Sequence, residues 1–133
     1  DNALGFFGFA YYAENKDKLK IVPIEDGKPE DGDGPITPSP ETIANGTYQP
    51  LSRPIFIYVS TKALQKQTVK DFVAFYLEHA KDLSAEVGYI ALPATAYDMV
   101  SKRYTDGKTG SVFAGKGSQV GMTVEKLLAT EGN

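Results

Sequence analysis

Apolar residues recur at spacings of three and four from Val69 through Phe72, Val73, Tyr76, Ala80 and Leu83 to Val87, which predicts one long amphipathic helix over residues 67–87. Gly88 is its stop. Phe72 and Tyr76 lie on this stripe and are expected in the core. A shorter stripe, Tyr97, Val100 and Tyr104, follows Pro93 and predicts a second helix over residues 95–103. Residues 3–9 and 19–24 read as strands, the first with Gly5 and Gly8 allowing a bend or close backbone approach. Residues 11–18 read as a short helix or helical turn. The unbroken run Ile55-Phe56-Ile57-Tyr58-Val59 fits a strand covered on both faces. Two further helices are announced by their caps. Ser39 stands before Pro40 and Glu41, with Asn45-Gly46 ending the helix after little more than one turn, and Thr123 with Glu125 opens a last helix to about Ala129.

Between the helical signals lies an acidic segment. Residues 25–33 carry five acids against one lysine, a local charge of -4, among Gly27, Pro29 and Gly32. Like charges beside strand and helix breakers predict a solvated loop, which Gly34, Pro35, Pro38 and Pro40 extend. The remainder of the chain is then slightly basic, because the whole has a net charge of only -3. That balance argues against a nucleic-acid surface, which needs clustered Lys and Arg. The 133 residues and 41% hydrophobic content fit one globular unit, with no apolar run long enough for a membrane span and no signal peptide. A secreted precursor would carry its signal upstream of Asp1. Absence of cysteine excludes disulfides and thiolate metal sites, and leaves the compartment open.

Candidate chemistry is sparse. Gly110-Ser111-Val112-Phe113-Ala114-Gly115-Lys116-Gly117-Ser118 nearly spells a phosphate-cradling loop, but Gly117 stands where the magnesium-binding hydroxyl belongs and no buried strand leads in. It reads as a glycine-permitted surface loop. Asp31-Gly32-Asp33-Gly34 resembles the start of a calcium loop, yet Pro35 occupies the third ligand position and no glutamate closes it. His79, the only histidine, sits beside Glu78 and Lys81 on the polar side of the long helix without triad or metal partners. Asn45-Gly46-Thr47 matches a glycosylation acceptor and is better read as the helix stop. Phe6, Phe7, Phe9, Tyr11 and Tyr12 could line a groove; as a cluster they read as core. No catalytic, metal or cofactor site is assigned.

Three segments resemble a known family: residues 5–15, from Gly5-Phe6-Phe7-Gly8-Phe9-Ala10-Tyr11-Tyr12 to the Glu14-Asn15 pair, then 38–59, then 110–121. They are similar to the C-terminal part of periplasmic phosphate-binding proteins, the solute receptors of phosphate ABC transporters, particularly their cyanobacterial-type branch. The resemblance covers nearly the whole chain, and because that family's proteins are much longer, the chain is expected to be a piece of one. It implies an α/β class and the type II periplasmic-binding-protein fold, two lobes of mixed sheets flanked by helices. Residues 1–52 would then be the last part of the second lobe, 53–103 the return crossing and completion of the first lobe, and 104–133 a glycine-rich tail with a terminal helix.

By the same resemblance the phosphate ligands lie upstream, in a Thr/Ser loop, a Ser and Asp pair and an Arg-x-x-x-Ser-Gly-Thr loop. None is carried over, since Ile57 stands four places after Arg53 and Gly107 four places after Arg103. What remains here is scaffold and hinge, at Gly5, Gly8, Arg53 and Pro54. The implied partners are inorganic phosphate and a membrane permease, at a periplasmic or cell-surface location. Self-association, or pairing with the upstream segment, is expected too. Other readings are a receptor for a different oxyanion or small solute, a stand-alone interaction or assembly domain, and an enzyme using residues 110–118 on nucleotides.

Overall fold

Caps written into the sequence set the element boundaries of the computed structural model, which describes residues 3–29, 34–115 and 121–130. Helix α1 (Phe9–Glu14) starts after Gly8 and ends where Asn15 turns its side chain back, Nδ2 donating to the Tyr11 carbonyl at 2.9 Å. Helix α2 (Pro40–Ala44) has the expected cap in reciprocal form. Ser39 Oγ accepts from the Thr42 amide at 3.1 Å, and Thr42 Oγ1 accepts from the Ser39 amide at 2.9 Å. A 3-10 turn (Ala63–Gln65) then leads into helix α3 (Gln67–Glu86). Pro93 precedes helix α4 (Ala94–Thr105), and Thr123 caps helix α5 (Val124–Ala129) through its hydroxyl, which accepts from the Lys126 amide at 3.3 Å.

The ends of α3 and α4 share one device. Gly88, at φ +80, donates to the Ala85 carbonyl while Tyr89 donates to that of Ser84. Gly107, at φ +65, and Lys108 repeat the pair on Tyr104 and Arg103. Each satisfies carbonyls that the helix itself leaves open, and each needs the left-handed conformation that glycine adopts freely.

The core lies where α4 packs between α3 and α5. Val73 and Ala80 from α3, Ala96 from α4 and Leu127 from α5 are buried, and Val112 from the intervening loop joins the buried set. Ala96 allows close approach because it ends at its methyl group. Val73 and Ala80 keep the spacing of one helix face, as the stripe predicted. Of its other members, Val69 and Tyr76 are part-buried, whereas Phe72 is 64% exposed and Leu83 and Val87 are also open to solvent. The helix therefore has the predicted length and period, but only a narrow part of its apolar face meets a neighbour within the described residues.

The expected strands do not form among the described residues. Residues 3–8 make no ladder, Phe9 already belongs to α1, and the apolar run 55–59 remains largely exposed without strand pairing. Of the 19–24 segment only Ile24 pairs, in a single antiparallel bridge in which Ile24 and Ile36 exchange both amide–carbonyl bonds at 2.9 and 2.8 Å. The physical reason is that a helix closes its hydrogen bonds within itself, whereas a strand needs a neighbour to supply them. The bridge closes the base of the acidic segment. Inside it the acids serve the local backbone, Glu25 Oε1 accepting from the Gly27 amide and Asp26 Oδ1 from that of Lys28, both at 3.0 Å.

Candidate functional site

A concave surface lies where the end of α4, the loop after it and the end of α5 meet. Arg103, Lys108, Thr109, Ser111, Val112, Ala114 and Thr130 border an open depression of about 320 Å³. Two cations and three hydroxyls in one place invite an anion. Most of these groups, however, already hold the protein together. The Arg103 guanidinium donates to the Gly110 carbonyl at 2.9 Å, which draws the loop back against α4. Ser111 Oγ accepts from the Phe113 amide at 3.2 Å, and Thr130 Oγ1 donates to the Leu127 carbonyl at 2.8 Å. Beyond them the loop is fixed by buried Val112 and by Phe113, whose ring meets that of Phe56 edge-on at 5.3 Å.

On the flank of the depression Lys102 pairs with Asp106 one turn later at 3.1 Å. Both are solvent-exposed, so the pair is worth at most about 0.5 kcal/mol. In the first turns of the two helices, Thr95 Oγ1 donates to Glu125 Oε1 at 3.2 Å and ties α4 to α5. The groups around the depression thus act as fasteners of the α4–α5 unit. Arg103 is the residue that motif reading passed over in this role. Its usable signal was Gly107, the helix stop that folds the next residues back within reach of a side chain in the last turn.

The four residues assigned to hinge and scaffold are not brought together into one site. Gly8 caps α1 at φ -64 and ψ 148, a conformation open to any residue, and a side chain there would meet nothing. Gly5 is different, because a Cβ would run into the ring of Phe7. Arg53 is exposed and Pro54 partly buried, both in the coil that precedes the apolar run. The His79 ring lies 4.4 Å from that of Phe75 on α3, tilted by 48°, and no metal-holding group of acids and histidine occurs among the described residues. Asn45 caps α2 and turns Oδ1 to the Thr47 amide and hydroxyl, at 3.0 and 2.8 Å, as the helix-stop reading requires.

Residues 110–115 form turns with Gly110 and Gly115 at positive φ, and α4 rather than a strand precedes them. Lys116, Gly117 and Ser118, the rest of the near phosphate-loop motif, lie outside the described residues, as do Asp31, Gly32 and Asp33 of the calcium-like motif. Tyr48 carries the one resolved shift of ionisation among the described groups. Burial raises its phenol above the usual 10.0, since the charged form would lose solvent.

Comparison with known proteins gives a consistent picture. The chain is 50% identical to protein SphX of Synechococcus elongatus over 131 residues, 97% of this chain and 37% of that protein. It is 42% identical to protein SphX of Synechocystis sp. over 127 residues, 95% of this chain and 36% of the relative. To the phosphate-binding protein PstS of Staphylococcus aureus it is 43% identical over 95 residues, 71% of this chain and 28% of that protein. No family model matches the chain, and no solved structure matches it significantly. The resemblance to phosphate-binding proteins is thereby borne out, for a chain that spans little more than a third of its SphX relatives.

Proposed function

We propose that this chain, a relative of the phosphate-binding proteins, serves as scaffold and hinge in a receptor that captures inorganic phosphate outside the cytoplasm for an ABC-transporter permease. The observation that carries this reading is the 43% identity to a phosphate-binding protein across 71% of the chain. Holding phosphate tightly takes several charge-assisted hydrogen bonds converging on one anion. Arg103, Ser111 and Thr130 already bond within the fold, so they are poor candidates for that task. The ligands then belong to the portion of the receptor that this chain does not span. Nothing in this role calls for catalysis. None of the described helices is long and apolar enough to cross a membrane, in keeping with a receptor that meets its permease from outside.

In this reading residues 1–52 complete one lobe, 53–103 cross back and complete the other, and 104–133 cover its surface. Arg53 and Pro54 open the return crossing, and Gly5 and Gly8 serve as hinge or scaffold in the lobe segment before it. Residues 3–8 and 55–59 become strands of the lobes' sheets when neighbouring strands are supplied, which gives the two-lobe α/β fold.

Calorimetric titration tests the proposal. The S. aureus PstS with its 95 matched residues exchanged for those of this chain should bind phosphate with submillimolar or better affinity, and the chain alone should not. A folded exchange protein that ignores phosphate, or prefers sulfate or another solute, overturns the assignment. Tight binding by the chain alone would place the ligands within it.

A further inference from the structure

The turn that ends α2 brings together the groups of a reaction that the chain can carry out on itself. Asn45 is the one asparagine in the sequence with a glycine after it, and it is exposed at the C-cap of α2. Asn45 Oδ1 accepts from the Thr47 amide at 3.0 Å and from the Thr47 hydroxyl at 2.8 Å. That hydroxyl has a single proton, and its other acceptor, the Thr42 carbonyl, is farther off at 3.4 Å. Both donors draw electron density away from Cγ, the carbon a nucleophile attacks, and both face the oxygen on which negative charge then collects. The adjacent nucleophile is the Gly46 nitrogen. It has no side chain to shield it, and its own bond, to the Ile43 carbonyl, is long at 3.4 Å. Asn45 Nδ2, the leaving group, makes no hydrogen bond among the described residues.

We infer that Asn45-Gly46 is a self-modification site, at which Thr47 serves as an oxyanion hole for loss of the asparagine side-chain amide. The deprotonated Gly46 nitrogen forms a bond to Asn45 Cγ, and the electron pair of the side-chain carbonyl moves onto Oδ1 under the Thr47 donors. That pair returns as the Cγ–Nδ2 bond breaks, and Nδ2 leaves as ammonia with the proton that Gly46 gave up to water. Water then opens the cyclic imide at either carbonyl, which leaves aspartate or isoaspartate at position 45. Closure turns the Asn45 ψ away from -5, a motion that opens the long Gly46–Ile43 bond. Asn15 marks the contrast, because its Nδ2 is held by the Tyr11 carbonyl at 2.9 Å and the next nitrogen belongs to Lys16. Isoaspartate adds a methylene to the backbone between Thr42 and Tyr48, whose carbonyl and amide are bonded at 2.9 Å. The altered turn also abuts the cap of α5, since a Cβ on Gly46 would lie 3.6 Å from Thr123 Cγ2.

The test is independent of the receptor reading. The chain is incubated at mildly alkaline pH, and peptide mapping by mass spectrometry, with isoaspartate-specific enzymatic methylation, follows Asn15 and Asn45 separately. Asn45 should convert at least roughly tenfold faster than Asn15, with isoaspartate among the products and with faster exchange of the Tyr48 amide in converted chains. Asn45→Gln should abolish the conversion. Thr47→Val keeps the shape and removes the hydroxyl; it should slow conversion several-fold in the native chain and change nothing in urea, where the turn is lost. Overturning results are equal rates at Asn15 and Asn45, aspartate formed without isoaspartate, or a native Thr47→Val chain that converts as fast as its parent or faster.

Discussion

Replacing Leu127 should unfold this chain far more readily than replacing Phe72, although phenylalanine is the larger side chain and lies on the longer helix. Leu127 is 4% exposed where α5 meets the core. Truncation to alanine forfeits its transfer energy and leaves a cavity, together about 2–5 kcal/mol. Phe72 is 64% exposed, so about a third of its surface is covered. A phenylalanine has about 200 Å² to bury, so roughly 70 Å² is at stake and, at about 25 cal/mol per Å², just under 2 kcal/mol. Alanine recovers about 0.5 kcal/mol of that through its better helix propensity. The net cost is about 1.3 kcal/mol, little more than a third of the middle of the Leu127 range. Urea unfolding of both variants, followed by far-ultraviolet circular dichroism, measures the difference as a shift in midpoint at constant slope. Equal shifts would refute the assignment of the core to the α3–α4–α5 junction.

Other expectations follow from individual contacts. Ser39→Ala removes the bond from the Thr42 amide to Ser39 Oγ, leaves the one from the residue 39 amide to Thr42 Oγ1, and should destabilise α2 locally by about 0.5–2 kcal/mol, seen as faster exchange of the Thr42 amide. Arg103→Ala frees the Gly110 carbonyl, so amides at residues 108–112 should exchange several-fold faster while α3 is unaffected. Tyr48 favours its neutral form when folded. Its contribution is therefore complete below pH 10, falls as the unfolded phenol begins to ionise there, and is lost as pH rises through the folded value; Tyr48→Phe should flatten that alkaline loss of stability. ATP and GTP should show no saturable binding by calorimetry, since α4 rather than a strand leads into Gly110; micromolar affinity would contradict this.

Helices were legible because their determinants are local. Ser39-Pro40, Asn45-Gly46, Gly88 and Thr123 fix boundaries through hydrogen bonds spanning at most a turn or two, and each lies where the sequence placed it, whereas α4 runs two residues past its expected end at 103 to the turn at Gly107. What periodicity could not tell is which part of an apolar stripe finds a neighbour. Val73 and Phe72 are adjacent in sequence, yet one is buried and the other open, because neighbouring side chains leave a helix in different directions and only one of the two finds cover. Residues 55–59 have the composition of a central strand, but strand structure is a property of a pair of segments. The anchoring role of Arg103 was hidden for a related reason, since its acceptor is a backbone carbonyl and so leaves no trace in residue type.

The Ile24–Ile36 bridge makes the eleven residues it encloses, 25–35, a permissive place for added sequence. With both ends held by paired amide–carbonyl bonds, doubling the enclosed length would add only about 0.6 kcal/mol of closure entropy. Two such bonds contribute about 1 kcal/mol each, enough to absorb it. An epitope or a fluorescent reporter spliced between Lys28 and Gly34 should therefore leave the α3–α4–α5 junction undisturbed, giving a handle on the chain far from its buried apolar residues in sequence.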